Sequence, residues 1–153
     1  MSYKENFIEG ILSLSEWGDW SMAKTEWNYV SSDMIPDSQC LCGHPIVEVC
    51  TIHNRLNNNY AEVGNCCVKK FMDNRAMSMR AESDFTILKG LQRNPLYTIK
   101  NVSYFHDIKV ITDWDYTFYQ SLGNKRNLSY KQEKQKLRIN NLIVASIKNK
   151  KIL

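Results

Sequence analysis

The sequence predicts an α+β protein: a small β-hairpin module embedded in a mostly helical domain. Three observations predict it. Residues 40–67 hold all five cysteines and two of the three histidines. Inside that segment two β-rich runs, 46–52 and 60–63, flank an asparagine-rich stretch, the pattern of a hairpin. Beyond residue 83 apolar side chains recur at helical spacing behind capping residues, which is the signature of successive amphipathic helices.

Each element follows from local chemistry. Residues 3–14 place Phe7, Ile8, Ile11 and Leu12 on one helical face. Residues 17–20 read as a turn, 26–30 as a strand, and 31–38, with Pro36, as a loop. The hairpin turn, 54–59, is built of residues that tolerate left-handed backbone. Residues 66–72 open a short helix with Val68, Phe71 and Met72 on one face. Ser83-Asp84 is expected to cap a helix over 85–92, and Asn94-Pro95 to start another running to about residue 106, proline being favoured at the first helical position. Thr112-Asp113 caps a third helix that stops at Gly123. Ser129 and Gln132 form a capping box behind Leu128, opening a last helix with Leu137, Ile139, Leu142, Ile143 and Ile147 as its apolar positions. The chain divides into 1–82, an N-terminal helix plus the hairpin module, and 83–153, a helical region with a basic last helix; together they are expected to form one compact unit.

Hydrophobic residues make up 43% of the chain, enough for a packed core, so disorder of the whole chain is excluded. Net charge is only +4, but residues 125–151 carry nine cations against the single acid Glu133. That segment alone sums to +8, leaving the preceding residues at about −4. Such asymmetry points the tail at an acidic partner, nucleic acid first. The opening residues lack the apolar run of a secretion signal, and no stretch reaches the ~20 apolar residues of a membrane span. The expected location is therefore the cytoplasm, with no membrane partner and no secretion. In a reducing compartment clustered cysteines read as metal ligands rather than disulfides, and an odd count of five fits a metal site plus a spare thiol.

Thiolate and imidazole are the ligands that zinc selects, four to a closed structural site. Cys40 and Cys42 sit on a tight knuckle that Gly43 frees to turn, the hairpin carries the chain out and back, and Cys66 and Cys67 arrive at a helix start. Knuckle, hairpin and helix start is the order of a treble-clef-like zinc module. The spacings, one residue and none, depart from the usual two. The expected ligands are Cys40, Cys42, Cys50 and Cys67, with His44 and Cys66 in reserve. Adjacent cysteines rarely both reach one ion, so Cys66 is expected to remain outside. A catalytic reading lacks support. Five crowded thiols compete for the role of a single activated nucleophile, the His-x-Glu and Pro-Cys-x-x-Cys pair of zinc deaminases is missing, and no phosphate-binding glycine motif occurs. No small-molecule substrate is evident. Trp17, Trp20, Trp27 and Tyr29 read as core in preference to a base-stacking surface, and of the carboxylates Asp107, Asp113 and Asp115 a helix cap and a solvated face account for two without a catalytic pair.

The run Cys40-Leu-Cys42-Gly43-His44-Pro45-Ile46, then Cys50, then Val63-Gly64-Asn65-Cys66-Cys67-Val68-Lys69-Lys70-Phe71, resembles a cysteine-motif segment of small proteins of phages and large DNA viruses. The run from Ile111 through Trp114 to Tyr119, followed by Leu128 to Gln132, is similar to the helical tail of such proteins. The resemblance spans roughly residues 27–147 and implies a viral or mobile-element origin, hence a host-cell interior, and a zinc site; it implies no particular activity. Two functions are expected from these readings. One is a non-enzymatic, nucleic-acid-associated accessory protein that holds phosphates through Lys131, Lys134 and Arg138. The other is a protein-binding modulator that inhibits a host enzyme or defence factor.

Overall fold

The computed structural model describes residues 2–149 and divides the chain into two units, Met1–Phe85 and Thr86–Leu153. The division falls within one long helix.

The first unit opens with α1 (Tyr3–Ser13), where Ser2 Oγ accepts the Glu5 N–H at 3.1 Å and Phe7 and Ile11, four apart, are fully buried. A short α2 (Trp20–Ala23) and a 3₁₀ turn (Lys24–Glu26) lead into a three-stranded antiparallel sheet, ordered β1 (Trp27–Gln39), β2 (Pro45–Asn54), β3 (Tyr60–Gly64). A short α3 (Asn65–Lys70) follows. The β2–β3 hairpin lies where the sequence places it. β1 does not stop at residue 30: within residues 31–38, expected as a loop, Ser31 to Met34 and Ser38 pair with β2. Irregularities between Tyr29 and Ser31 and between Met34 and Ser38, with Asp37 at φ 59°, absorb the misfit. Pro36 is tolerated because β1 is an edge strand with one side free of ladder bonds.

The asparagine turn does more than reverse the chain. Asn57 and Asn59 each donate a side-chain N–H to the Leu14 carbonyl at 2.9 Å, closing the end of α1. Asn54 donates to the buried Glu26 carboxylate at 2.9 Å, which also accepts the backbone N–H groups of Glu16 and Trp17 at 2.7 and 3.0 Å. Burial pushes the Glu26 carboxyl up, but these donors and the Arg55 charge outweigh it and hold it below the ordinary carboxylate range.

A further helix, α4 (Arg75–Arg93), replaces the shorter one expected over 85–92. Ser83 and Asp84 therefore lie inside a helix and cap nothing. Asp84 is buried; its carboxylate takes Arg80 Nη2 at 2.8 Å, one helical turn back, and the Tyr29 hydroxyl at 2.5 Å. Burial raises the Asp84 carboxyl despite these partners.

The second unit holds α5 (Val102–Asp107), α6 (Asp113–Leu122) and α7 (Tyr130–Ile147). The helix expected from residue 95 to 106 forms only over its last turns. Asn94 Oδ1 accepts the Leu96 N–H at 3.0 Å, a local turn that competes with a helix start. Asn140 then holds the Pro95 and Tyr97 carbonyls at 3.0 and 3.1 Å, and Tyr119 Oη accepts the Ile99 N–H at 2.9 Å. Both predicted caps form. Thr112 and Asp115 make a full capping box, as do Ser129 and Gln132. Ile139, Ile143 and Ile147 are buried; Leu137 and Leu142, expected inside, are half-buried. Among the described residues no helix is long and apolar enough to cross a membrane.

Candidate metal centre

The knuckle is the turn between β1 and β2. The Gly43 N–H returns to the Cys40 carbonyl at 2.8 Å and the Cys40 N–H reaches the His44 carbonyl at 2.9 Å. Gly43 sits at φ 95°, a conformation a side chain disfavours. α1 lies against this turn. Asn6 Nδ2 donates to the Cys42 carbonyl at 3.3 Å, and a Cβ on Gly10 would stand 2.7 Å from the Leu41 side chain, which would have to move to admit it. β3 and α3 bring the third thiol. Cys67 lies in the first turn of α3, three residues after Gly64, whose own N–H donates to Cys40 Sγ at 3.2 Å.

The result is a buried trio. One ligand atom each from Cys40, Cys42 and Cys67 lies within 4.8 Å of the others, and Cys40 Sγ and Cys67 Sγ are 3.5 Å apart. Zn–S bonds of ~2.3 Å in a tetrahedron separate sulfurs by about 3.8 Å, so the three are spaced to share one ion. All five cysteines are free thiols. Backbone N–H groups already face two of the sulfurs: Gly64 to Cys40, and His44 to Cys42 at 3.4 Å. These are the donors that stabilise thiolate.

The electrostatics point the same way. Its hydrogen bond with Cys67 lowers the Cys40 thiol to about 5, against the upward push of burial, with the Cys42 and Gly64 N–H groups helping. The same hydrogen bond, then burial, drives Cys67 up; burial raises Cys42. One thiolate forms readily and its neighbours resist becoming a second and third beside it. A cation among them removes that resistance.

Of the expected ligands, the structure brings together Cys40, Cys42 and Cys67. Cys50 stays outside the group. It pairs with Ser32 on β1 and Val63 on β3, its Sγ lies 3.9 Å from Ser32 Oγ, and burial raises it to about 12. Its mid-strand position makes it part of the sheet interior. The reserve residues His44 and Cys66 are exposed, and both line a cavity of about 560 Å³ that also touches the trio. Sequence reasoning missed Tyr3, whose ring meets His44 edge-on with centroids 5.0 Å apart, because nothing local ties residue 3 to residue 44. It also missed Gly64 as a donor to sulfur, although glycine just before the second cysteine pair is a visible signal.

No family model, curated protein or solved structure matches this chain.

The basic residues are placed by α7. Lys131 and Lys134, one turn apart, are exposed. Arg138 is half-exposed but engaged: its Nη2 lies 2.5 Å from Asp115, a buried carboxylate held below its ordinary range, burial being outweighed by Arg138 and the Thr112 cap. Lys136 turns inward, donates to Thr98 Oγ1 at 2.7 Å, and is lowered by burial. Lys150 and Lys151 lie outside the described residues. Trp27 is core, with Nε1 donating to Ser15 Oγ at 2.9 Å, whereas Trp17 is exposed.

Proposed function

We propose that this chain is a non-enzymatic accessory protein of phage or viral origin, in which one structural zinc ion organises the hairpin unit and the last helix associates with nucleic acid. The observation that carries the metal is the buried Cys40, Cys42 and Cys67 trio within 4.8 Å. Three converging thiolates suit a soft, tetrahedral ion, and zinc is the redox-inert one. Ligation would tie the β1–β2 turn to the start of α3, closing a sheet that is otherwise joined by strand pairing. The exposed pair Lys131 and Lys134 on α7 supports a phosphate contact that is indifferent to sequence. Protein purified without added metal should contain about one zinc per chain by elemental analysis and native mass spectrometry. A fully folded chain without metal would sink the proposal.

One observation favours a protein-binding modulator instead. Trp114 is 57% exposed and stacks on Phe118, with centroids 5.1 Å apart, making a flat aromatic surface on α6. Aromatic anchors of this kind are common in protein interfaces. Binding through them would tolerate salt; phosphate binding would weaken steeply with it.

A further inference from the structure

A three-thiolate site leaves one tetrahedral position to fill, and the chain offers few groups to fill it. We propose that His44 is the fourth ligand, completing a Cys₃His site, and that Cys66 remains an unligated thiol on the cavity wall. This inference rests on the zinc reading above.

The backbone of His44 is already fixed at the site. Its N–H points at Cys42 Sγ and its carbonyl holds the Cys40 N–H, so the residue cannot drift from the knuckle. Its ring is exposed, lines the same cavity as the three thiols, and stands outside the 4.8 Å group against Tyr3. A rotation of its side chain is the movement the proposal asks of it. The Tyr3 ring, carried by α1, limits where the imidazole can go on the other side.

The competitors are each disposed of by position. Cys66 and Cys67 are successive residues on α3, about 100° apart around the helix; Cys67 faces inward and Cys66 is exposed, so the two diverge. Cys50 does not line the cavity and is fully buried against Ser32. Glu48 lines it, but its carboxylate receives Asn65 Nδ2 at 3.1 Å.

The test is anaerobic cobalt(II) titration of the full metal-free chain. The thiolate-to-cobalt charge-transfer band counts sulfurs, and the visible bands report nitrogen against sulfur in the fourth place. Wild type and Cys66→Ser should give superimposable spectra. His44→Ala should bind at least about 10-fold more weakly, the loss that removing even an outer-shell partner causes, with shifted visible bands. His44→Cys should restore affinity and raise the charge-transfer intensity by about one third, from three thiolates to four. Long-range proton–nitrogen correlation on the zinc-loaded wild type should show a metal-bound His44 nitrogen, a readout independent of any variant's folding. Loss of charge-transfer intensity in Cys66→Ser, or a wild-type spectrum and affinity in His44→Ala, overturns the assignment. A wild type that takes up no cobalt overturns the zinc reading itself.

Discussion

The hairpin unit and the helical unit reach order by different routes. In Met1–Phe85 the interior holds four thiols, three of them clustered, with the Glu26–Asn54 pair, Ser32 and Asp84 among its apolar side chains. In Thr86–Leu153 an aliphatic and aromatic core, with Ile139, Ile143, Phe105 and Leu122, also encloses Asp115, Lys136 and Asn140 and is framed by two complete capping boxes. The first route depends on conditions: its thiol cluster is the one proposed to take a metal, and the Glu26 carboxylate must stay ionised. The second rests on burial, local hydrogen bonds and the Asp115–Arg138 pair, with no part in the thiol cluster.

If the thiol cluster holds the proposed metal, the sharpest way to break this contrast is to take that metal away. Structural zinc contributes apparent binding energies of about 10–16 kcal/mol in small modules. Cys40→Ser, Cys67→Ser or a strong chelator should therefore lower the melting temperature by far more than any other change considered. Amide exchange should rise throughout β1, β2, β3 and α3, and much less in α6 and α7. Cys66→Ser should stay within about 0.5 kcal/mol of wild type, the usual range for a surface change. Equal losses at Cys66 and Cys67, or equal exchange in both units, would end the argument.

The next effect isolates the carboxylate. Glu26 accepts from three donors in a buried setting, and hydrogen bonds to charged groups contribute about 1.5–3 kcal/mol. Glu26→Gln keeps the shape but sets an amide N–H₂ against backbone donors, so a loss of about 2–3 kcal/mol is expected in urea unfolding. Because folding lowers the Glu26 carboxyl, its contribution is complete above the unfolded value of ~4.3 and fades as pH falls through the lower folded value. The acid limb of the wild-type stability curve should be steeper than that of Glu26→Gln. Parallel curves would show that the carboxylate does not stay ionised in the fold.

What could be read from the chain follows the same division. Capping boxes and the hairpin are local patterns, so Ser129 with Gln132, Thr112, and the runs flanking the asparagine turn were visible in sequence. The cysteine cluster was visible as composition; three of its four expected members converge. Cys50 was not separable from them, since strand register decides whether a thiol faces the knuckle or the sheet interior, and register is set by long-range pairing with β1. The full length of β1 was hidden by Pro36 and by polar residues that an edge strand accepts. Asp84 looked like a cap because Asp and Ser usually are; its partner Tyr29 is distant in the chain. Arg138 looked like one more outward cation for the same reason, its partner Asp115 being supplied by another helix.

That last pairing yields a smaller effect. Arg138→Ala should leave the buried Asp115 carboxylate with the Thr112 cap alone. Breaking a buried pair costs about 3–5 kcal/mol, but Arg138 is half-exposed and solvent replaces part of the interaction, so about 1–2 kcal/mol is expected. Thermal unfolding of Arg138→Ala beside Arg138→Lys measures it. Reversing Arg138 to glutamate, although it removes a cation from α7, also drives two carboxylates together and would confuse a binding defect with a folding defect.

The smallest expected effect on stability carries the most information about function. Lys131 and Lys134 are exposed on the first turns of α7. The double reversal Lys131→Glu, Lys134→Glu should change stability by no more than about 0.5 kcal/mol, and negative charge near a helix N-terminus favours the helix slightly. If phosphates are held there, the same double variant should lose most affinity for short DNA and RNA in fluorescence anisotropy. The wild type should weaken with salt along a log–log slope of about −0.9 per duplex phosphate neutralised. Two lysines removed should flatten that slope by about two contacts. A wild type that binds neither polymer at low salt would discard the nucleic-acid reading and leave the exposed Trp114–Phe118 stack as the better guide to a partner.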